Sequence, residues 1–350
     1  MRVPTTERLD GLDAARGLAV LSMLVAHLCP ADGVFRISEY LTAPLFAVII
    51  GISMGIQLAE RRPPVGTFVL GNVQRGLVLI VLGVLLQAIY DQIDVVLPYL
   101  GVLVIVLAPL ALLLHRLPVL TLGIAGALAV VGPLVVGRAR DSLPTLVGSW
   151  PDWALDLLRW VATGESYRLL SFLPMALGGL ALASVLRRAA RPPEGYLVAA
   201  VLFVLSVAAY GLGRGTPDGS TAYSGTTAEV VGATFLATAT VVASCVAVVL
   251  LRRVGAGVVL GPLLSTGRLA LTAYTLQILF LAAIQLAVGP RRDDSWLILG
   301  STTLVVVGGC WLLERRFGTG PLEWVVHQLR PPSRPQGRHE ATSADGAGAG

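Results

Sequence analysis

The sequence predicts an all-α polytopic bundle of about ten transmembrane helices, with both termini cytoplasmic and almost no soluble domain. Three observations carry that prediction. Of the 350 residues, 55% are hydrophobic and only 13% charged, where a soluble domain carries about 25% charged residues, and the mean hydropathy is +0.77. Ten apolar runs are each long enough to cross about 30 Å of hydrocarbon. The arginines, which make up all 26 basic residues, are shared unequally between the two sides of those runs.

The runs fall roughly at 12–29, 40–59, 73–91, 95–114, 118–137, 169–186, 195–213, 228–251, 263–288 and 295–313. Arg2, Arg8 and Arg16 precede or open the first, and no small-residue cleavage pattern follows it. It therefore reads as a retained helix and not as a signal peptide. Only Tyr90-Asp91-Gln92-Ile93-Asp94 separates the third run from the fourth, which predicts a tight turn. The 138–168 stretch holds Trp150, Trp153 and Trp160 among Asp152, Asp156 and Arg159, a density that suits a helix lying at the outer interface. Gly320-Pro321 opens a short helix over 320–330 with Leu322, Val325, Val326 and Leu329 on one face, since Pro fits a first helical position. Residues 1–330 thus form one membrane unit. The tail 331–350 has little to bury and is expected to be disordered.

Orientation follows from the arginines. An inside N-terminus puts 18 on the cytoplasmic side and 8 outside, and cationic loops resist translocation. The same distribution explains the net charge of +5 without nucleic acid. The bilayer is the expected partner. Cys29, Cys245 and Cys310 lie in or at the ends of apolar runs, with a spacing that suggests neither a disulfide framework nor a metal site. No metal cofactor is expected. No phosphate-cradling glycine loop, histidine cluster or Ser–His–Asp arrangement is present in the sequence.

Ionisable groups inside apolar runs are expensive, and each is a candidate for function. Arg16 and His27 stand at opposite ends of the first run. Eleven residues at 100° each bring them to nearly one helix face, about 16 Å apart along the axis. Imidazole near its neutral pKa can take a proton from an attacking hydroxyl or amine. On spacing alone the plainer reading stands ahead: a snorkelling Arg and an interfacial His that only hydrogen-bonds. Arg75 and Arg268, each read as opening a helix, are further cations on the cytoplasmic side, able to bind phosphate through their guanidinium forks or to anchor topology. Asp13, one turn before Arg16, is placed to pair with it. Tyr274 and Gln277 belong to the ninth run, where they line a cavity or bond a neighbouring helix. Asp94, with Gln87, Tyr90 and Asp91 at the turn after the third run, contacts an acceptor or is an ordinary solvated loop residue.

The segment from Arg8 to His27, RLDGLDAARGLAVLSMLVAH, resembles the opening of the transmembrane acyltransferase superfamily. It looks most like the heparan-α-glucosaminide N-acetyltransferase-type catalytic domain of bacteria and the related YeiB-like membrane proteins. The Arg-x10-His spacing is also a signature of the acyltransferase-3 branch. Ala43–Ser53, APLFAVIIGIS, is similar to the family's second helix, and GRLALTAYTLQ from Gly267 and GPLEW from Gly320 resemble YeiB-like ends. The resemblance implies a donor, acetyl-CoA or another acyl-CoA, bound from the cytoplasm. It implies an acceptor beyond the membrane, a glycan or other envelope molecule, and a location in the cell membrane. His27 is then the base or a transient acyl carrier, and Arg16, Arg75 and Arg268 face the donor. The rival readings are a transporter or exporter of a small or lipidic molecule, and a non-catalytic membrane component. The pattern leaves the acceptor, the acyl chain and the oligomeric state open, a homo-oligomer included.

Overall fold

Hydrocarbon offers no water to backbone groups, so an apolar run must bond its own amides and carbonyls, which a helix alone does for a single segment. The structure, a computed structural model, describes residues 5–189, 191–216, 219, 221–289 and 295–329. Among them are thirteen α-helices and no strand. They are α1 (Thr5–Leu28), α2 (Ile37–Arg61), α3 (Val65–Ile89), α4 (Leu97–Leu114), α5 (Pro118–Leu146), α6 (Asp152–Leu158), α7 (Leu169–Ala189), α8 (Glu194–Gly213), α9 (Thr227–Arg253), α10 (Gly261–Arg268), α11 (Ala270–Val288), α12 (Trp296–Phe317) and α13 (Pro321–Gln328). Ten of these are long and apolar enough to cross a membrane, in a multi-pass bundle. The tail 331–350 lies outside the described residues.

Three departures from the apolar runs have a local reason. Helix α3 starts at Val65, eight residues before the run at 73. Thr67 and Asn72 hide that first stretch from a hydropathy reading, yet Asn72 donates to the Phe68 carbonyl one turn back at 2.8 Å and stays in the helix. Helix α5 continues through the polar Arg138–Asp141 segment to Leu146, and the chain turns only near Gly148, at φ 87°. The ninth run is two helices. Leu269, at φ −102° and ψ 36°, ends α10 and starts α11.

The inner helices are α1, α2, α4, α7 and α9, each buried over more than half of its span, while α3, α5, α8 and α12 turn most of their surface outward. Helix α1 packs close to α10. A Cβ on Gly17 would stand 2.3 Å from the Leu263 carbonyl oxygen, and one on Gly267 would stand 1.7 Å from that of Asp13. Glycine at both places lets the two backbones touch, as small residues do between membrane helices. That contact sets the height of Asp13 and Arg16 relative to α10.

Candidate active site

Helix α1 carries Arg16 and His27 on one unbroken rod. Arg16 projects toward α2, where its Nη2 donates to Ser53 Oγ at 2.9 Å, while Nη1 donates to Asp13 Oδ1 at 2.7 Å. Both groups of that guanidinium are therefore fixed. Arg75 is the eleventh residue of α3, about 15 Å along the axis from its start, and so does not open its helix. Arg16, Ser53 and Arg75 share one cavity of about 110 Å³ with Tyr274 of α11, walled otherwise by apolar side chains such as Phe46, Ile50 and Leu100. Two cations from different helices inside one mostly apolar cavity is not an arrangement that packing alone favours.

The cavity reaches the turn between α3 and α4, since Val96 and Leu97 belong to its wall. The Val96 amide donates to Tyr274 Oη at 3.3 Å, joining α11 to that turn. Gln87 shapes the turn from inside. Its Nε2 donates to the Ile93 carbonyl at 3.1 Å, and its Oε1 accepts from the Val95 amide at 2.8 Å. Two residues before Val96 stands Asp94, whose Oδ2 accepts from Ser166 Oγ at 2.6 Å. Asp94 is also the charged group that acts on His27, the half-buried penultimate residue of α1. His27 does not line the cavity. Polar groups thus run from Arg16 and Arg75, through Tyr274 and the Val96 turn, to Asp94.

Two predicted residues stand elsewhere. Arg268 ends α10 and is spent on carboxylates: Nε donates to Asp13 Oδ2 at 3.3 Å, Nη1 to Glu314 Oε1 at 2.8 Å and Nη2 to Asp10 Oδ1 at 2.7 Å. Arg252 also bonds Asp10, and Ser265 also bonds Glu314. Burial lowers the pKa of Arg268, but the bonds to Glu314 and Asp10 outweigh it and hold the guanidinium more firmly charged. This network clamps α1, α9, α10 and α12 together and holds Asp13, hence Arg16, in place. Gln277 is 1% exposed, lies off the cavity wall, and has neither side-chain polar atom bonded.

Sequence reasoning missed a second group near Asp94. Arg168, counted among the loop arginines, is 1% exposed. It donates to the carbonyls of Gly164 (2.9 Å), Glu165 (2.6 Å), Tyr223 (2.6 Å) and Ser224 (2.9 Å) and so stitches two loops together. Burial, aided by the charge of Arg140, pushes it down to about 10. Burial likewise raises the phenols of Tyr167 and Tyr223. The Tyr167 ring meets Tyr99 and Tyr223 edge-on at 5.6 and 5.3 Å, and Trp160 lies 6.4 Å from Tyr99. The one signal available was Glu229, a carboxylate inside the eighth apolar run. It is buried, and its charge acts on Arg168. Among the described residues no cluster of His, Cys, Asp or Glu forms a metal site.

Ten long apolar spans in one bundle make this a multi-pass membrane protein. The chain belongs to the heparan-alpha-glucosaminide N-acetyltransferase catalytic family, whose profile matches residues 8–209, more than half of its length. The profile of a protein of unknown function, DUF418, matches residues 180–330. Arg16, His27, Arg75 and Asp94 fall in the first match, Tyr274 and Arg268 in the second, so the cavity draws on both. No curated protein and no solved structure matches the chain.

Proposed function

We propose that the chain transfers an acyl group, acetyl first among candidates, from a cytoplasmic acyl-CoA to a hydroxyl or amine of a glycan or other envelope molecule outside the plasma membrane. The observation that carries this reading is the convergence of Arg16 and Arg75 with Tyr274 on one cavity in the bundle, in a chain of this family. A cavity of about 150 Å³ accepts a benzene-sized molecule, so one of about 110 Å³ suits a short acyl group. The nucleotide end of the donor must lie outside it. Arg16 and Arg75 then hold the donor's phosphopantetheine arm from the cytoplasmic side, its acyl end directed past Tyr274 toward His27, and Arg268 serves Arg16 through Asp13.

The acceptor approaches from the His27 end. His27 takes the proton as the acceptor oxygen or nitrogen attacks the thioester carbonyl. The carbon–sulfur bond breaks, the CoA thiolate takes the proton held on His27, and the acylated acceptor departs on its own side. A transporter also fits ten helices and a cavity, but it does not account for the match of residues 8–209 to an acetyltransferase catalytic family.

Thermal melting of the purified protein tests the donor. Acetyl-CoA at 100 times its dissociation constant should stabilise by about 2.7 kcal/mol, and Arg75→Gln should shift the required concentration upward. No shift of a well-folded sample at millimolar acetyl-CoA contradicts the reading.

A further inference from the structure

Helix α11 begins without a cap of its own. Its N-cap position is Leu269, which has no side-chain oxygen to offer, and the first amides of any helix lack intrahelical partners. In a membrane bundle such orphans are costly. The missing acceptor comes from the far end of the chain. Glu323, in α13, accepts from the Leu271 amide at 2.9 Å and the Thr272 amide at 3.0 Å through Oε1, and from Thr272 Oγ1 at 2.5 Å through Oε2. These are the second and third amides of α11, the pair that a side-chain cap serves, and a carboxylate there also meets the positive end of the helix dipole. Gly320 makes the approach feasible, for a Cβ there would stand 2.1 Å from Glu323 Oε2 and 2.5 Å from Thr272 Oγ1.

The capped turn is also a wall. Ala270, Leu271 and Tyr274 line the cavity, and Tyr274 reaches on to the Val96 amide. We propose that Glu323 is a positioning residue: through its cap on α11 it fixes the cavity wall, so that the GPLEW segment sets how tightly the cavity holds its ligand. Glu323 touches no ligand in this account. The effect on acyl donor rests on the function proposed above, whereas the effect on the wall does not.

The test uses the full chain in detergent or nanodiscs, as wild type and as Glu323→Ala, Glu323→Gln and Glu323→Asp. Hydrogen exchange is read over 270–274 and over 94–97, the distal end of the Tyr274 bond. Cavity access is read by maleimide modification of Leu79→Cys, localised by mass spectrometry, and affinity by the acetyl-CoA concentration giving half-maximal thermal stabilisation. Glu323→Ala should speed exchange about five- to tenfold in both segments, as loss of a cap predicts, change the labelling rate, and raise the half-maximal acetyl-CoA concentration by a similar factor. Glu323→Gln, whose carbonyl oxygen can still accept from both amides, should restore wild-type values. Where the Ala variant does not purify, Glu323→Asp, one methylene short of the two amides, is held to the same expectations. Faster exchange confined to 271–272, with labelling, the 94–97 segment and acetyl-CoA response unchanged, overturns the positioning role. Exchange and labelling that move as expected in a protein blind to acetyl-CoA leave the wall argument standing and reject the donor instead.

Discussion

At the scale of residues, the central contrast is between an arginine enclosed by carboxylates and arginines that also line a cavity. Arg268 bonds three carboxylates, whereas Arg16 shares a cavity with Arg75 while one edge of its guanidinium rests on Asp13 and Ser53. A sequence shows both kinds as a lone Arg beside an apolar run. Arg268 could be sorted only once Asp10, Asp13 and Glu314 were seen to surround it, from helices more than 40 residues away. The common helix of His27 and Arg16 was legible in the apolar run, where spacing fixes the face. That Tyr274 reaches the turn carrying Asp94 was not, since the Val96 amide from which it accepts lies 178 residues earlier. If His27 is the base, His27→Ala lowers turnover by about 10² to 10⁴ while the fold survives. Single-turnover acyl transfer, with circular dichroism as the folding control, reads this directly. A His27→Asn variant of near-normal rate would assign the side chain to orienting the acceptor and not to moving its proton.

At the scale of elements, close backbone contacts decide where the cavity lies. All ten spans were visible as apolar runs, because a run of that length in hydrocarbon has no other way to satisfy its backbone. The break at Leu269 was not visible, because the apolar pattern continues through it and the cap that stabilises the new helix start is Glu323, over 50 residues later. The α1–α10 contact is the element on which Arg16 depends. Gly267→Leu forces a side chain into the Asp13 carbonyl and should destabilise the protein by about 3 kcal/mol, the upper end for overpacking. A lower melting temperature together with weaker acetyl-CoA stabilisation is the expected pair of results. Unchanged melting would show that the two helices are not held at this distance.

At the scale of the whole molecule, the proposed function requires two sides, a donor from one and an acceptor from the other. The 18 to 8 distribution of arginines predicts cytoplasmic termini and an external 138–168 segment, and an even number of spans agrees with it. Cysteine probes decide the orientation. A probe at position 145 should react in intact cells, and one at 340 only after lysis; the reverse pattern inverts the assignment of donor and acceptor ends. The Trp160, Tyr99 and Tyr167 rings, near Asp94, would then face the acceptor side, where the two loops tied by Arg168 hold them.

Transfer across the bilayer is the claim that all of this serves. Inside-out vesicles from cells expressing the chain can be given acetyl-CoA labelled in its acyl group from the bath. The label should appear on a non-CoA species within the vesicle lumen, with the wild-type chain and not with His27→Ala. Lumenal label no higher than in vesicles lacking the chain, from a protein that binds acetyl-CoA, would contradict the account.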